Sequence, residues 1–458
     1  MKKNKIKKSN TLYKKAIKII PGGSQTFSKG VSQFVDGVAP KFLEKGKGAY
    51  VYDLDNNKYL DYIMGCHPLI LGYSDPDVNK SVIRQLQKGS TFSLMNKLEY
   101  DVSNILCKSI PSAEMVRFGK NGADVTSIAI KIARAVTGRD HIAFSGYHGW
   151  HDWFISTTDL NGGIPKSTGK LIHKFEYNNI HSLEKLFSKY KNKIAAVIME
   201  PLTVESPKCQ KTFCSNKKCK IVCQKSFLND VREMTKKNNS LLIFDEIITG
   251  FRFDYGGAQK LTNVTPDLSC FAKAISNGVP LSAIVGKKKY MSVLDKVFFS
   301  FTYGGDCIGL AAAKTSLKKI KDHKVIPKIY KNGKLLKDSI NFLIRNYNLE
   351  KLLNCIGFDC RTILTFSDSK YGDNLVLKSI IQQELIKRGI LWSAYHAISY
   401  CHTAKEINKT VNAFDFVFKK IRKIIDSEHK FISYLEGKPV KPVFRKVTDF
   451  NSMMKNSY

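Results

Sequence analysis

Short apolar runs alternate along this chain with longer stretches in which apolar residues recur every three or four positions. Between Asp75 and about Lys319 the runs are MVRF, HIAFS, AAVIME, LLIFDE and SAIVG. Runs this short and this continuously apolar read as strands buried on both faces, and the spacing in SIAIKIARAV reads as an amphipathic helix. The alternation predicts an α/β fold with a mainly parallel sheet covered by helices. From Thr11 to about Gly72 the pattern gives a short helix followed by a small antiparallel element. GAYVYDLDNNKYLDY alternates apolar and polar residues about Asp55-Asn56-Asn57, as a hairpin does. Beyond Lys321, KNGKLLKDSINFLIRN reads as helix and DCRTILTF as strand. TAKEINKTVNAFDFVFKKIRKIIDSE reads as a last helix with a basic C-terminal half.

These patterns divide the chain into four parts. Residues 1–74 form an arm (1–12, polar, lysine-rich and mobile) and part of a small domain; 75–320 form a large domain with a cysteine-rich insert at 207–225. Residues 321–435 form a C-terminal small domain, and 436–458 a tail with Pro439 and Pro442 and no readable period. No internal repeat is visible.

Composition narrows the partners. At 458 residues and 43% hydrophobic content, the chain has room for two domains and a large core. No apolar run approaches the roughly 20 residues of a membrane span, and MKKNKIKKSN lacks the apolar stretch of a secretory signal. A cytoplasmic protein with no membrane partner is expected. The net charge of +35 (74 Lys+Arg against 39 Asp+Glu) raises nucleic acid as a partner. However, the excess lysine is dispersed over the whole chain, without a zinc-finger, homeodomain, RRM or aromatic-basic pattern. No nucleic-acid partner is expected; steering of anionic small molecules remains as a use for the field.

The chemistry concentrates in LLIFDEIITGFRFDYGGAQKLTNVTPDLSCFAKAISNGVPLSAIVG, residues 241–286. Its first strand ends in Asp245-Glu246 and so delivers a carboxylate to the C-terminal edge of the sheet, where ligands of open α/β sheets bind. Lys273 sits between Phe271-Ala272 and Ala274-Ile275, a poor solvated face for a surface lysine. Desolvation there would neutralise the amine and make it a nucleophile. Pyridoxal phosphate needs both groups: a lysine for its Schiff base and a carboxylate for its pyridinium nitrogen.

With Asp245, Thr249-Gly250-Phe251-Arg252, Pro266-Asp267-Leu268 and Lys273 in this order, the segment resembles the class III pyridoxal-phosphate aminotransferases. SNGVPLSAIVGKK looks most like their glutamate-1-semialdehyde 2,1-aminomutase branch. IPGGSQTFSKG, GKGAYVYDLDNNKYLDYIMG, GKNGADVTSIAIKIARAVTGRD, SGYHGWHDW, IMEPL, FTYGGDCIGLAAA and HAISYCHT extend the resemblance, in family order, over about residues 10–425. It implies a fold-type I pyridoxal-phosphate-dependent transferase: a large domain with a mainly parallel sheet, and a smaller α/β domain from both chain ends. It also implies that Lys273 and Asp245 are catalytic. Ile247 would then face the cofactor ring, Tyr147 would stack on it with His148 and Trp150 in support, and Glu200 would anchor the polar network. Asn121, Gly122 and Ala123 would cup the phosphate, with Asn121 and Thr126 replacing the hydroxyl that Ala123 lacks. Thr302 would reach the phosphate of a neighbouring subunit, which implies a homodimer.

Three positions where the resemblance places substrate depart from the aminomutase. Lys29 stands for an arginine that clamps a carboxylate, and lysine cannot form the planar two-bond fork. Gly65-Cys66-His67 replaces Ser-Trp-Gly, and His396 replaces an acidic residue; ILWSAYHAISYCHT holds no arginine. Lys29, Cys66, His67 and His396 are therefore the candidate substrate residues. The expected reaction moves an amino group from a small-molecule donor to a carbonyl acceptor, a keto-sugar or surface-polysaccharide precursor. The alternatives are the aminomutase itself, an isomerase that consumes no donor, and a non-catalytic protein that keeps the fold.

Cys209, Cys214, Cys219 and Cys223 lie in an insert that the family pattern lacks. Their C-x4-C-x4-C-x3-C spacing is compact enough for four thiolates to reach one ion. It leaves structural zinc, an iron–sulfur cluster and free thiols open, while disulfides are unexpected in a reducing compartment. The remaining cysteines of the 11 read as small core hydrophobes.

Overall fold

A computed structural model describes residues 6–209 and 226–441. The described residues divide into two compact units: 6–75 together with 327–441, and those between 76 and 326.

In the first unit, strands β1 (Leu43–Lys47), β2 (Tyr50–Asp53) and β3 (Lys58–Asp61) form an antiparallel meander. The expected hairpin joins β2 and β3. The Asp53 carboxylate accepts from the amides of Asp55 and Asn57 (2.9 and 2.8 Å), and Asn56 takes the left-handed φ (62°) that asparagine tolerates. The lysine-rich arm is shorter than its composition suggests, because Lys7–Ala16 is a helix. The amides of Lys8 and Ser9 donate to Asp55 (3.0 and 3.1 Å), and the buried Ser9 hydroxyl accepts from Lys41 N (2.9 Å), which fixes the start of the helix.

The second unit carries seven strands: β4 (Met115–Gly119), β5 (His141–Ser145), β6 (Ile172–Lys174), β7 (Ile194–Met199), β8 (Leu241–Asp245), β9 (Leu268–Phe271) and β10 (Ser282–Gly286), in the order β4-β10-β9-β8-β7-β5-β6. Strands β5 to β9 run parallel; β10 is antiparallel to both β9 and β4. The sheet is buried on both faces, which explains the unbroken apolar runs. Ile243 and Ile198 pack with Val125, Ile128 and Ala129 of helix Gly122–Thr137. Leu242, Phe244 and Val197 point the other way, onto Leu183, Phe187, Leu228 and Val231. Truncating Ile243 to alanine would cost about 2–5 kcal/mol. The sequence pattern misses β6, which has only three residues, and β9. In β9, Ser269 breaks the apolar run because its hydroxyl pairs with Ser112 Oγ and Gln259 Nε2, both at 3.0 Å, inside the core.

The remaining strands of the first unit are β11 (Leu353–Phe358), β12 (Arg361–Phe366), β13 (Ile390–Leu391) and β14 (Tyr395–Ala397). The order β11-β12-β14 is antiparallel, and β13 adds to β3 in parallel. The long helix Ala404–Asp426 starts at a capping box between Thr403 and Glu406. Among the described residues no helix is long and apolar enough to cross a membrane.

Candidate active site

Parallel pairing brings the ends of β5, β7, β8 and β9 to one edge of the sheet. Asp245 closes β8 opposite Cys270 of β9, and the Glu246 amide donates to Cys270 O at 2.9 Å. Two residues after β9 ends, half-buried Lys273 begins a short 3-10 turn (Lys273–Ser276) at φ 50°. A side chain other than glycine in the left-handed region costs about 1–2 kcal/mol, and such strain gathers at functional positions. The catalytic pair expected from the sequence therefore sits at the end of β8 and just beyond the end of neighbouring β9.

Asp245 is 3% exposed, so its oxygens need donors. Oδ1 accepts from Ile247 N at 3.1 Å, and Oδ2 lies 2.8 Å from Nδ1 of His148, which is buried. The other ring nitrogen of His148, Nε2, faces Ser145 O at 3.2 Å, and the imidazole lies parallel to the Trp153 indole at 6.2 Å. His148 is thus a buried brace for Asp245, not the stacking support expected of it. The missed signal was the buried carboxylate's need for a partner.

Tyr147 is half exposed; its amide donates to Glu200 Oε1 at 3.0 Å. Burial and the nearby Asp245 charge push its phenol above the usual range. Trp150 stands 67% exposed, with its indole edge-on to the His151 ring at 4.7 Å.

The helix Gly122–Thr137 starts at the same edge. A Cβ on Gly122 would come within 2.6 Å of Ile247 Cδ1, and one on Gly149 within 2.8 Å of the Ala123 methyl. The helix start, Ile247 and the segment after β5 are therefore in close contact, and glycine is what permits it. Asp124 Oδ2 accepts from Lys120 N and Asn121 N (3.0 and 2.7 Å), which leaves the first helical amides, of Gly122 and Ala123, without an acceptor inside the helix. The Thr126 hydroxyl is not the substitute expected: it donates to His148 O at 2.7 Å. Lys120 is held by Asp306 and Pro280 O.

A family model described as Aminotransferase class-III matches residues 34–358. The chain belongs to the class III aminotransferase family. Among its curated relatives, a 3-aminobutyryl-CoA aminotransferase of Cloacimonas acidaminovorans (strain Evry) is 33% identical over 433 residues, covering 92% of this chain and 99% of that protein. A glutamate-1-semialdehyde 2,1-aminomutase of Wigglesworthia glossinidia brevipalpis is 33% identical over 448 residues, with 92% and 99% covered. The solved FumI protein of Sphingopyxis sp. MTA144, in its pyridoxal-phosphate internal aldimine form, superposes with a TM-score of 0.82 at 24% identity, over 92% of this chain and 97% of its own. The fold is that of fold-type I, and this class III member is a pyridoxal-phosphate-dependent enzyme. The residues present fit the group: open amides at the start of a helix for a phosphate, a braced buried carboxylate for a ring nitrogen, and an amine at the strand edge.

The expected substrate residues belong to the first unit. Lys29 ends the exposed turn Phe27–Lys29 and, with Asp61, Ile63 and Gly65, lines a cavity of about 490 Å³. Met64, Gly65, Cys66 and His67 are all left-handed (φ 48°, 62°, 75° and 84°), a strained run of which three members are not glycine. His67 stacks on Tyr395 at 4.5 Å and accepts from Arg361 Nε at 3.1 Å. His396 is a correction. It is wholly buried, Nε2 accepts from Trp392 Nε1 (2.9 Å), and Nδ1 pairs with Thr362 Oγ1 (2.9 Å), so no ring atom is left for a substrate. Thr302 lies in an exposed turn of the second unit.

Of the four insert cysteines only Cys209, which bridges antiparallel to Ser226, lies among the described residues; Cys214, Cys219 and Cys223 lie outside them. Among the described residues no three His, Cys, Asp or Glu side chains are grouped to hold a metal.

Proposed function

We propose that this class III enzyme is an aminotransferase in which Lys273 and Asp245 are the catalytic residues. The observation that carries the reading is their place on adjacent strand ends, with Asp245 buried and braced by His148. Pyridoxal phosphate, when bound, supplies an aldehyde for an amine to join and a ring that accepts electrons from the substrate carbon. Asp245, aimed by Ile247 N and His148, would hold a proton at the ring nitrogen. The Lys273 amine would hold the cofactor and would carry a proton to and from the substrate carbon. Gly122 and Ala123 amides bind the phosphate with the positive end of their helix. Ile247 and Tyr147 would pack against the ring, while Glu200 holds the Tyr147 backbone.

The acceptor we propose is a carbonyl compound without the carboxylate that an arginine would clamp, such as a keto-sugar or a surface-polysaccharide precursor, because Lys29 offers a point charge only. Soaking the yellow protein with candidate amino donors and following loss of the colour tests this. Failure of every donor to discharge the colour would reject amino transfer. A second reading, the aminomutase, is favoured by relatives such as the Wigglesworthia enzyme. It requires turnover of a single substrate with no donor consumed.

We also propose a homodimer. Leu94, Met95 and Phe298 are 85, 83 and 79% exposed, and Phe301 and Tyr303 flank Thr302 with further exposed aromatic surface. Cys307 N donates to Ser90 O (2.9 Å), which ties the chain just after Tyr303 to the chain just before Leu94, and the Lys131 side chain donates to Phe298 O (3.0 Å). An apolar patch of this kind fits a second copy of the chain.

A further inference from the structure

The left-handed run Met64–His67 is held at its two ends by different groups. At its exit, His67 is fixed by Tyr395 and Arg361. At its start the holding group is Asp61, the last residue of β3. One Asp61 oxygen accepts from Ile63 N at 2.7 Å; the other accepts from Met64 N at 3.1 Å and from the Tyr73 hydroxyl at 2.6 Å. The Asp61 side chain is buried and lines the same cavity as Lys29 and Gly65. Its backbone carbonyl accepts from His402 Nε2 at 3.1 Å, so β3 is anchored beneath it as well.

We propose that Asp61 is a positioning residue: its carboxylate, through the Ile63 and Met64 amides, sets the Gly65–His67 segment in the conformation that receives substrate. The clause about substrate rests on the assignment of Cys66 and His67 proposed above; the positioning does not. Two observations favour a carboxylate chosen for this work over a filler of the core. A backbone with four successive positive φ values needs an external tie, because its conformation is locally unfavourable. In addition, burial pushes the Asp61 carboxyl up to about 6, against the hydrogen bonds of Tyr73, Ile63 and Met64 that favour its charge. The charged form is therefore held at neutral pH against burial, and it is the form that can accept from all three donors. The other titratable groups around it are Cys66, Tyr395 of β14 and His402 before the helix Ala404–Asp426, with Tyr13, Lys29 and Lys41 on the cavity wall. Protonating one oxygen turns an acceptor into a donor facing an N–H, so the tie weakens as pH falls through about 6.

Cys66, half-buried and free, reports the segment directly through its alkylation by iodoacetamide, read by peptide mass spectrometry on the cofactor-loaded protein. In Asp61→Asn, where an amide group meets N–H and O–H donors, the rate at Cys66 should rise about tenfold. Tyr73→Phe, which keeps both amide bonds, should raise it by a smaller factor. Wild type should show the same rise as pH falls through about 6, after allowing for the thiolate fraction, and Asp61→Asn should not. An unchanged Cys66 rate in both variants overturns the proposal. KM for the substrate should rise with the alkylation rate while kcat stays within about twofold and the colour persists. A raised alkylation rate with unchanged KM would keep Asp61 as the tie and remove the substrate assignment of Cys66 and His67 instead.

Discussion

His148 Nδ1 lies 2.8 Å from Asp245 Oδ2, and both side chains are buried. The pair is one step removed from the cofactor, yet it decides how the carboxylate is aimed. In His148→Ala, Asp245 keeps Ile247 N and loses the imidazole, and a hydrogen bond to a carboxylate is worth about 1.5–3 kcal/mol. We expect His148→Ala to bind pyridoxal phosphate at least about tenfold more weakly and to turn over more slowly at saturating cofactor. Titration of the apoprotein by absorbance measures the first. Wild-type affinity would place the brace role elsewhere.

Asp245→Asn keeps the shape and removes the charge. A neutral amide cannot hold the ring proton, so kcat should fall by about a thousandfold or more, in the range seen when a preorganised charge is lost at a reacting group. Fold and Lys273-bound colour should persist. Single-turnover kinetics with an active donor would check this, and a variant retaining a tenth of wild-type rate would remove Asp245 from the chemistry.

Lys273 takes φ 50°, which glycine accepts and other residues resist. Both Lys273→Ala and Lys273→Gly should lose the yellow colour and all turnover. Without added cofactor, Lys273→Gly should be the more stable by about 1 kcal/mol, because it releases the left-handed strain that alanine retains. Equal thermal midpoints for the two apoproteins would mean that the lysine backbone is not strained.

How much of this was legible depends on whether a residue's role is written in its own neighbourhood. Asp245 was, because Leu241–Phe244 is a run buried on both faces and only a strand end could follow it with a charge. Lys273 was, because its neighbours are apolar. His148 was not, since its partner lies 97 positions away and only the burial of that partner reveals the need. His396 was misread for a similar reason. Its strand, β14, has three residues, too few to show which face is buried, and its partners Thr362 and Trp392 come from β12 and the turn before β14. The tie at Asp61 was hidden as well: no sequence period announces four successive left-handed residues when only one of them is glycine.

The exposed patch gives a prediction about assembly. Phe298→Glu combined with Met95→Glu puts two charges into a surface that the homodimer reading desolvates, and each uncompensated charge at an interface costs several kcal/mol. Sedimentation should show monomers at concentrations where wild type is dimeric, with activity falling in parallel. A wild-type chain that sediments as a monomer would remove both the dimer and the role of Thr302 across it.

His396 sets a pH dependence with a sign opposite to the usual histidine case. Burial, with the neighbouring His402, lowers its folded pKa to about 3 from 6.5. Between those values the unfolded chain binds a proton that the folded chain does not, so stability from this group is complete above 6.5 and lost as pH falls, by about 1.4 kcal/mol per pH unit. Other groups act over overlapping windows. His173 is lowered to about 4, adding to the loss; Asp61, raised to about 6 from 3.8, opposes it; Glu384, lowered to about 2 from 4.5, adds only below 4.5. These are common to wild type and a His396→Gln variant, whose amide can still accept from Trp392 and pair with Thr362, so they cancel in the difference. Urea unfolding between pH 6.5 and 4.5 should therefore show wild type losing stability more steeply than the variant by about one proton's worth, about 1.4 kcal/mol per unit. Parallel slopes would mean that His396 takes up its proton inside the folded core, and the closed hydrogen-bond arrangement around it would be wrong.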